Sequence, residues 1–415
     1  MLILFSCNQT EKTENSIPFE KLTTEYTGVN FSNNITPNLE SSENLFDYDY
    51  FYNGSGVGIA DINNDGLKDI IFTANQEENK LYLNKGNLKF EDITSSSNIN
   101  SENKRWSSGV TFVDINNDGW LDIYISQGGP NKANNRKNLL LINNQDLTFT
   151  DLATEYGLDD EGISTQSAFF DFDKDGDLDC VVMNENEFYG YDPISFFEKY
   201  KDKSVLMANS SHLYEQIDGK FTNITEKAGL LSPTFGLGLC ISDINNDNWP
   251  DIYIANDYYV KDAMYINNQD GTFTNQIQAS TKQISFYGMG VDIEDINNDN
   301  LSDIFVLDMA SSDHVRSKTL MASMNTSNFD LITNKLDQHY QYMFNSLQLN
   351  LGNNKYHNVS HQLNMAKTDW SWAGLIFDYN LDGNEDIFVT NGYRKYGSDN
   401  DSRIKINQTK IEYNN

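Results

Sequence analysis

Six nine-residue segments of this 415-residue chain have the residue types and spacing to hold a hard divalent cation. They read DINNDGLKD (Asp61 to Asp69), DINNDGWLD (Asp114 to Asp122), DFDKDGDLD (Asp171 to Asp179), DINNDNWPD (Asp243 to Asp251), DINNDNLSD (Asp295 to Asp303) and DYNLDGNED (Asp378 to Asp386). Positions 1, 3, 5 and 9 carry an oxygen-bearing side chain in every copy, and position 7 can add its backbone carbonyl. The candidate ligands are therefore Asp61, Asn63, Asp65, Leu67 and Asp69; Asp114, Asn116, Asp118, Trp120 and Asp122; and Asp171, Asp173, Asp175, Asp177 and Asp179. The later copies supply Asp243, Asn245, Asp247, Trp249 and Asp251; Asp295, Asn297, Asp299, Leu301 and Asp303; and Asp378, Asn380, Asp382, Asn384 and Asp386. Hard oxygens alone, without His or Cys, select Ca²⁺ over zinc or copper, and Mg²⁺ would demand a tighter octahedron. Several structural Ca²⁺ ions are the expected cofactors, with position 9 closing each site through both carboxylate oxygens. Such a loop fills its ion's coordination sphere and leaves little room for a substrate.

Position 6 is Gly66, Gly119, Gly176 and Gly383, but Asn248 and Asn300 in the other copies. Glycine and asparagine are the residues that best tolerate positive φ, so position 6 reads as a left-handed turn residue. Isoleucine at position 2 is expected beneath the loop. An EF-hand is excluded, because it needs flanking helices and a Glu at position 12. That position here is Phe72, Ile125, Val182, Ile254, Val306 and Val389.

The elements that position the loops are strands. A Gly-containing or small-residue apolar stretch precedes each loop, and a β-rich run such as IIFTAN, IYISQG or IYIAND follows it. Several units add a strand ending in Asn (79–84, 138–143, 262–267) and an outer strand opened by Phe90, Phe149, Phe221 or Phe273. Four short strands per unit predict an all-β propeller of four-stranded blades. Six calcium-loop repeats are visible, and seven blades are expected. Loop-to-loop spacings of 53, 57, 72, 52 and 83 residues place insertions near 185–210 and 310–345, the second compatible with helix. These insertions are the least repeat-like parts, either contact surfaces or covers for blade edges.

Phe19-Glu-Lys-Leu-Thr-Thr-Glu-Tyr26 repeats the outer-strand sequence beginning at Phe149 but precedes the first loop. It is expected to complete the last blade and join the chain's two ends. The last blade is short, with one further strand expected at 404–411. A seventh blade would need residues beyond this sequence.

The formal net charge is −32, from 61 acidic and 29 basic residues, which argues against nucleic acid as a partner. About a third of the acids lie in the loops, and six bound Ca²⁺ would bring the charge to about −20. Aromatic content of 13% in phase with the loops excludes an acidic disordered chain. Of the three cysteines, Cys180 and Cys240 read as buried strand residues, with nothing in their spacing requiring a disulfide. Leu4-Phe5-Ser6-Cys7 resembles a bacterial lipobox, although the basic segment and longer apolar core of a signal peptide are missing. Either the true start lies upstream or the run is a short apolar tail. The preferred division is residues 1–7 as a signal remnant, 8–16 as a tether and 17–415 as the propeller, with membrane attachment only through a lipid on Cys7.

The loops with their flanking strands resemble VCBS/FG-GAP repeats, the calcium-bearing repeats of integrin alpha-subunit propellers. The Phe-x-(Asp/Asn)-Ile-Thr segments, Ser164–Phe170 and Thr368-Asp-Trp-Ser-Trp372 are similar to bacterial relatives of cartilage acidic protein 1, many of which carry an ASPIC/UnbV domain. The resemblance covers about residues 17 to 395; no ASPIC/UnbV domain fits after residue 395. It implies a seven-bladed, calcium-binding propeller on a secreted or outer-membrane lipoprotein that binds protein partners. Only the calcium ligands carry over residue by residue.

A monomeric binding or adhesion module for an extracellular protein or glycan is the preferred function. Tyr189, Tyr191, Tyr258 and Tyr259 are candidate contacts, with packing between blades the plainer alternative for each. A polysaccharide-degrading enzyme is one rival, although His212, His314, His339, His357 and His361 accompany no nucleophile elbow or His-Glu metal motif. A rigid surface scaffold is the other.

Overall fold

The structure, a computed structural model, describes residues 19–45, 47–100, 106–130, 135–319 and 326–392, with the single residues Lys405 and Gln408. The lipobox lies outside the described residues, and the strand expected at 404–411 is contradicted at its two described positions, Lys405 and Gln408, which are helical. Six antiparallel sheets follow one another along the chain as propeller blades. Blade 1 is Val57–Ala60, Asp69–Phe72, Lys80–Asn84 and Phe90–Asp92; blade 2 is Ser107–Val113, Asp122–Gln127, Leu139–Asn143 and Phe149–Asp151. Blade 3 is Ser164–Phe170, Asp179–Asn184, His212–Ile217 and Lys220–Asn223. Blade 4 is Gly236–Ser242, Asp251–Asn256, Ala263–Asn267 and Phe273–Asn275; blade 5 is Val291–Glu294, Asp303–Val306, Ser346–Asn350 and Tyr356–Asn358. Blade 6 pairs Asp369–Phe377 with Asp386–Asn391 and gains the short Met309–Ala310. Six blades are thus present among the described residues, where seven were expected, and blades 1 to 5 are four-stranded.

Strand alternation explains the packing. Each second and third strand turns one set of side chains toward the next blade, and the first strand of that next blade covers them. Between blades 1 and 2, Ile62, Ile71, Leu81 and Leu83 meet Val110, Ile123, Leu139 and Phe149, with Phe112 packed alongside. The same arrangement recurs between blades 2 and 3 around Tyr124 and Cys180, and between blades 3 and 4 around Val181 and Ile252. Cys180 is buried as expected, Cys240 is half-buried, and both are free thiols.

The blades are also bonded to one another. The Asn that ends a third strand donates its side-chain N–H₂ to the preceding loop: Asn143 to the Ile62 carbonyl at 2.9 Å and Asn267 to the Phe172 carbonyl at 2.8 Å. At the rim, a short helix or turn ends in a left-handed glycine pressed onto the next blade's outer strand. A Cβ on Gly157 (φ +83°) would stand 2.6 Å from the Phe221 carbonyl oxygen, and one on Gly229 (φ +83°) 2.9 Å from that of Phe273. Only glycine permits both the conformation and the approach.

The N-terminal segment uses the same rim device. Thr24–Thr27 is a helix, and Gly28 (φ +78°) is seated on the Phe90 carbonyl of blade 1 as Gly157 is on blade 3. The expected strand character of Phe19–Tyr26 is therefore replaced by a helical turn, the same turn that Ala153–Tyr156 forms after Phe149–Asp151. The segment does not complete blade 6, since it pairs with none of its strands; its approach to that blade is the Phe19 ring, 6.3 Å from that of Tyr379.

Because neighbouring strands run oppositely, the loops between first and second strands emerge on one face, and the connections between second and third strands on the other. The candidate metal loops all occupy the first face. The insertions occupy the second, as helices Pro193–Lys199 and Lys203–Ala208 in blade 3, and as Arg316–Thr319, Thr326–Asp330 and the π-helical turn Leu331–Lys335 in blade 5.

Asn267→Ala removes a buried donor that joins two blades and leaves the Phe172 and Pro250 carbonyls without it. It is expected to lower unfolding free energy by about 2–3 kcal/mol, against under about 1 kcal/mol for Asn268→Ala in the exposed turn, as read from urea melts.

Candidate metal centres

Each loop is a self-capping turn. The position 1 Asp accepts the N–H groups of positions 5 and 6 (Asp61 from Asp65 at 3.1 Å and from Gly66 at 2.8 Å), a pattern repeated in all six copies. The position 5 Asp accepts the N–H of position 7, so Leu67, Trp120, Asp177, Trp249, Leu301 and Asn384 are all held by their backbones. Position 6 is left-handed throughout, as its Gly/Asn alternation predicts, with φ from +63° at Asn300 to +99° at Gly176. Position 4 is left-handed too, which the sequence reading missed: Asn64, Asn117, Asn246 and Asn298, but also Lys174 and Leu381, have φ between +55° and +61°. The four asparagines at position 4 were the available signal.

Position 4 also reaches the next loop. Asn64 donates to the Gly119 carbonyl and Asn246 to the Asn300 carbonyl, while the Lys174 ammonium sits 4.4 Å from the centre of the Trp249 ring. Position 2 lies beneath the loop as expected in Ile62, Ile115, Phe172 and Ile244. In blade 6 the equivalent Tyr379 is exposed.

Position 9 is the buried anchor. In blades 1 to 5 one oxygen accepts the N–H of position 2 and the other the N–H of a residue at or next to the end of the third strand. Asp251, for example, takes Ile244 N–H at 3.0 Å and Asn267 N–H at 2.7 Å. Asp69, Asp122, Asp179 and Asp303 repeat this with Asn84, Asn143, Gln216 and Asn350. Burial, reinforced by the neighbouring loop carboxylates and only partly offset by these N–H groups, pushes Asp122 and Asp303 up to about 6 and Asp179 and Asp251 up to about 7.

The donor set fits a hard cation best in the third loop. Carboxylate oxygens of Asp171, Asp173 and Asp179 lie within 4.8 Å of one another, and Asp177 Oδ1 is buried without a hydrogen-bond partner. Burial and then the neighbouring acids raise Asp173 and Asp177, the mutual repulsion a dication would relieve. Blades 1, 2, 4, 5 and 6 replace one of these carboxylates by the side-chain amide at position 3.

Other candidates resolve as structure. Among the histidines, His212 is buried with both ring nitrogens engaged, Nδ1 with Asp160 and Nε2 with the Met207 carbonyl. Burial works to raise the Asp160 carboxyl, but His212 and Tyr214 outweigh it and hold it at about 2. Tyr189 and Tyr258 pack in an aromatic cluster with Tyr48, Tyr50, Phe51 and Trp106 on the insertion face, while Tyr191 is 42% exposed. This cluster is built by residues 47–52, an aromatic-acidic run the sequence reading passed over. Tyr48 donates its hydroxyl to Glu185 and Tyr50 to Asp257, tying the segment across blades 3 and 4. Burial raises both carboxyls, Asp257 to about 7.

With metal chelated, the position 9 carboxyls bind protons more tightly when folded than when unfolded, where the ordinary value is 3.8. That stabilisation is complete below about pH 4 and is lost as pH rises through 6 to 7. The chelated protein is expected to melt on the order of 5 °C lower at pH 8 than at pH 5, in a series of thermal melts against pH.

The family model for the FG-GAP-like repeat matches residues 46–125 and 243–306. Cartilage acidic protein 1 of Xenopus tropicalis is 33% identical over 132 residues, which is 32% of this chain and 20% of that protein. The match thus spans only a fifth of that relative's length. Among solved structures, an Agrocybe aegerita lectin described as recognising non-reducing terminal N-acetylglucosamine aligns with a TM-score of 0.41 and 15% identity, covering 80% of this chain and 73% of that one. The V. cholerae biofilm matrix protein Bap1 aligns with a TM-score of 0.36 and 16% identity, covering 62% and 35%. The chain carries FG-GAP-like repeats and, over about a third of its length, is similar to cartilage acidic protein 1.

Proposed function

We propose that this protein is a calcium-stapled binding module that acts outside the cell and takes a protein or glycan on its insertion face. The observation that carries the reading is the wiring of the loops. Asp69, Asp122, Asp179, Asp251 and Asp303 each join a candidate metal ligand to the turn and to the third strand of the same blade. A cation that neutralises these acids acts on blade stability directly. All-oxygen loops of this kind suit the calcium concentrations found outside cells. The lipid anchor at Cys7 and export belong to the same reading. Among the described residues, no helix is long and apolar enough to cross a membrane.

The metal loops and the insertions face opposite ways, so the ions stiffen the ring without touching a ligand on the other side. Exposed Tyr52, Tyr191 and Tyr340 on the insertion-bearing face offer flat apolar surface with a polar edge, the chemistry that stacks on sugars or anchors a protein loop. Catalysis is disfavoured because His212, buried in blade 3, has both nitrogens committed.

Calorimetric titration of chelator-stripped protein with calcium, with melting in parallel, tests the reading. Several sites filling together and a rise in Tm of 10 °C or so are expected, with the pH trend of the chelated protein flattened. Asp175→Asn and Asp247→Asn are each expected to remove one site and lower the calcium-bound Tm by about 2–4 °C. No calcium heat and no change in Tm would return the loops to metal-free turns.

A further inference from the structure

Numbered in chain order, loops 1 to 6 are not equally joined to one another. Two kinds of link recur between neighbours. In the first, the position 4 side chain of one loop reaches the next. Asn64 Nδ2 donates to the Gly119 carbonyl at 3.0 Å, Asn246 Nδ2 donates to the Asn300 carbonyl at 2.8 Å, and the Lys174 ammonium sits over the Trp249 ring. In the second, the side-chain amide of the Asn that ends a third strand bridges position 2 of one loop and position 8 of the next. Asn143 donates to the Ile62 and Leu121 carbonyls, and Asn267 to those of Phe172 and Pro250. Asn350 reaches those of Ile244 and Ser302 at 3.5 and 3.2 Å, and the Tyr356 hydroxyl also donates to Ile244, at 3.2 Å. Loops 1 and 2, 3 and 4, and 4 and 5 therefore carry both links.

Among the described residues, the other two junctions carry neither. Between loops 2 and 3 the bridging place is taken by Gln216, whose amide reaches the Leu178 carbonyl of its own loop, and Asn117 makes no hydrogen bond to loop 3. Between loops 5 and 6, Asn298 makes no hydrogen bond to loop 6, and blade 6 has no third strand to supply an amide. The links that do form end around the position 7 residue, whose carbonyl is the expected ligand. In loop 2 the peptide group before the Trp120 carbonyl is held at its oxygen by Asn64 and at its N–H by Asp118, and the peptide group after it is held at the Leu121 oxygen by Asn143. In loop 5, Asn246, Asp299 and Asn350 hold Asn300, Leu301 and Ser302 in the same way. Position 4 itself stands between the side-chain ligands at positions 3 and 5, with φ +57° at Asn64 and +59° at Asn246. A turn held in that left-handed form presents its amide to the neighbouring loop in one place.

We propose that the six candidate cation sites form one coupled pair, loops 1 and 2, one coupled trio, loops 3 to 5, and one independent site, loop 6. Asn64, Lys174 and Asn246 are the positioning residues, each acting on position 6 or 7 of the next loop. The inference rests on the calcium reading of these loops. Filling one loop of a linked pair orders its position 4, which holds the next loop's ligand carbonyl in place, so the second turn has less freedom left to lose when it fills. By linkage the benefit is mutual. The links are single bonds near the surface, so the coupling lies at the low end of the usual range, about fivefold in affinity per linked neighbour.

Terbium titration of the full-length, chelator-stripped protein tests this. Trp120 and Trp249 occupy position 7 of loops 2 and 4, where the ligand is the backbone carbonyl, so each indole sensitises terbium held in its own loop. With Trp249→Phe the luminescence reports loop 2. Emptying loop 1 by Asp65→Asn is expected to raise the terbium midpoint of loop 2 about fivefold, whereas Asp175→Asn in loop 3, the same change of charge, moves it less than about twofold. Asn64→Gly keeps the left-handed turn and removes only the amide; it is expected to cut the effect of emptying loop 1 to about twofold, the part carried by Asn143. With Trp120→Phe the loop 4 signal is expected to shift with Asp175→Asn and with Asp299→Asn, but not with Asp118→Asn. Midpoints that ignore every neighbouring loop, or that shift equally across linked and unlinked junctions, would overturn the coupling and leave the calcium reading standing. No sensitised luminescence from either tryptophan would overturn both.

Discussion

A buried aspartate that holds two backbone N–H groups at once is the joint on which each blade depends. In blade 4, Asp251 ties the start of its own loop, through Ile244, to the end of the third strand, through Asn267. Asn267 in turn grips the loop of blade 3 through the Phe172 carbonyl. Turn, sheet and neighbouring blade are thereby linked through three residues. A carboxylate so buried is held at a cost, visible in its raised pKa, and the cost is lowered wherever charge is offset or shared. This is the physical reason that a cation in the loop would act on the ring and not only on the turn.

The antiparallel course of the strands separates the molecule's chemistry onto two faces. Oxygen-rich loops chained by Asn64, Lys174 and Asn246 line one face. The other carries the helical insertions and the segment through Tyr48, Tyr50 and Phe51, whose rings fill an aromatic cluster with Trp106, Tyr189 and Tyr258. There Glu185 and Asp257 accept from tyrosine hydroxyls, so buried acids serve as hydrogen-bond partners and not as free charges. The N-terminal segment thus contributes to both the rim, through Gly28, and the insertion face.

The series of blades ends in surfaces unlike its middle. Val57 and Ile59 occupy the places that Val110 and Phe112 hold in blade 2, yet they are 57% and 63% exposed, because among the described residues no blade packs over them. Leu375, Phe377 and Phe388 face outward from blade 6 in the same way. Contact of Phe19 with Tyr379 and of Gly28 with Phe90 spans these ends at the rim. The exposure follows from position in the series, since the residue types match those buried elsewhere.

Much of the fold was legible because its rules are local and repeated. Loop spacing, β-rich runs and Phe-led outer strands identified the blades, and the Gly/Asn alternation identified the left-handed turn at position 6. The third strands of blades 3 and 5, His212–Ile217 and Ser346–Asn350, escaped because insertions separate them from their loops. Phe19–Tyr26 was read as a strand because its resemblance to residues 149–156 covers a strand and a helix together, and only the helical half forms. By itself the sequence determined the repeat, the oxygen-bearing loop positions and the strand–loop–strand unit, since each depends on residues close to one another along the chain. Only the tertiary structure decided that position 9 is a buried joint, that the acidic loops and the insertions face opposite ways, and that equivalent apolar positions are covered in the middle of the series and bare at its ends. Those properties depend on which distant strand lies alongside, and no local pattern encodes that.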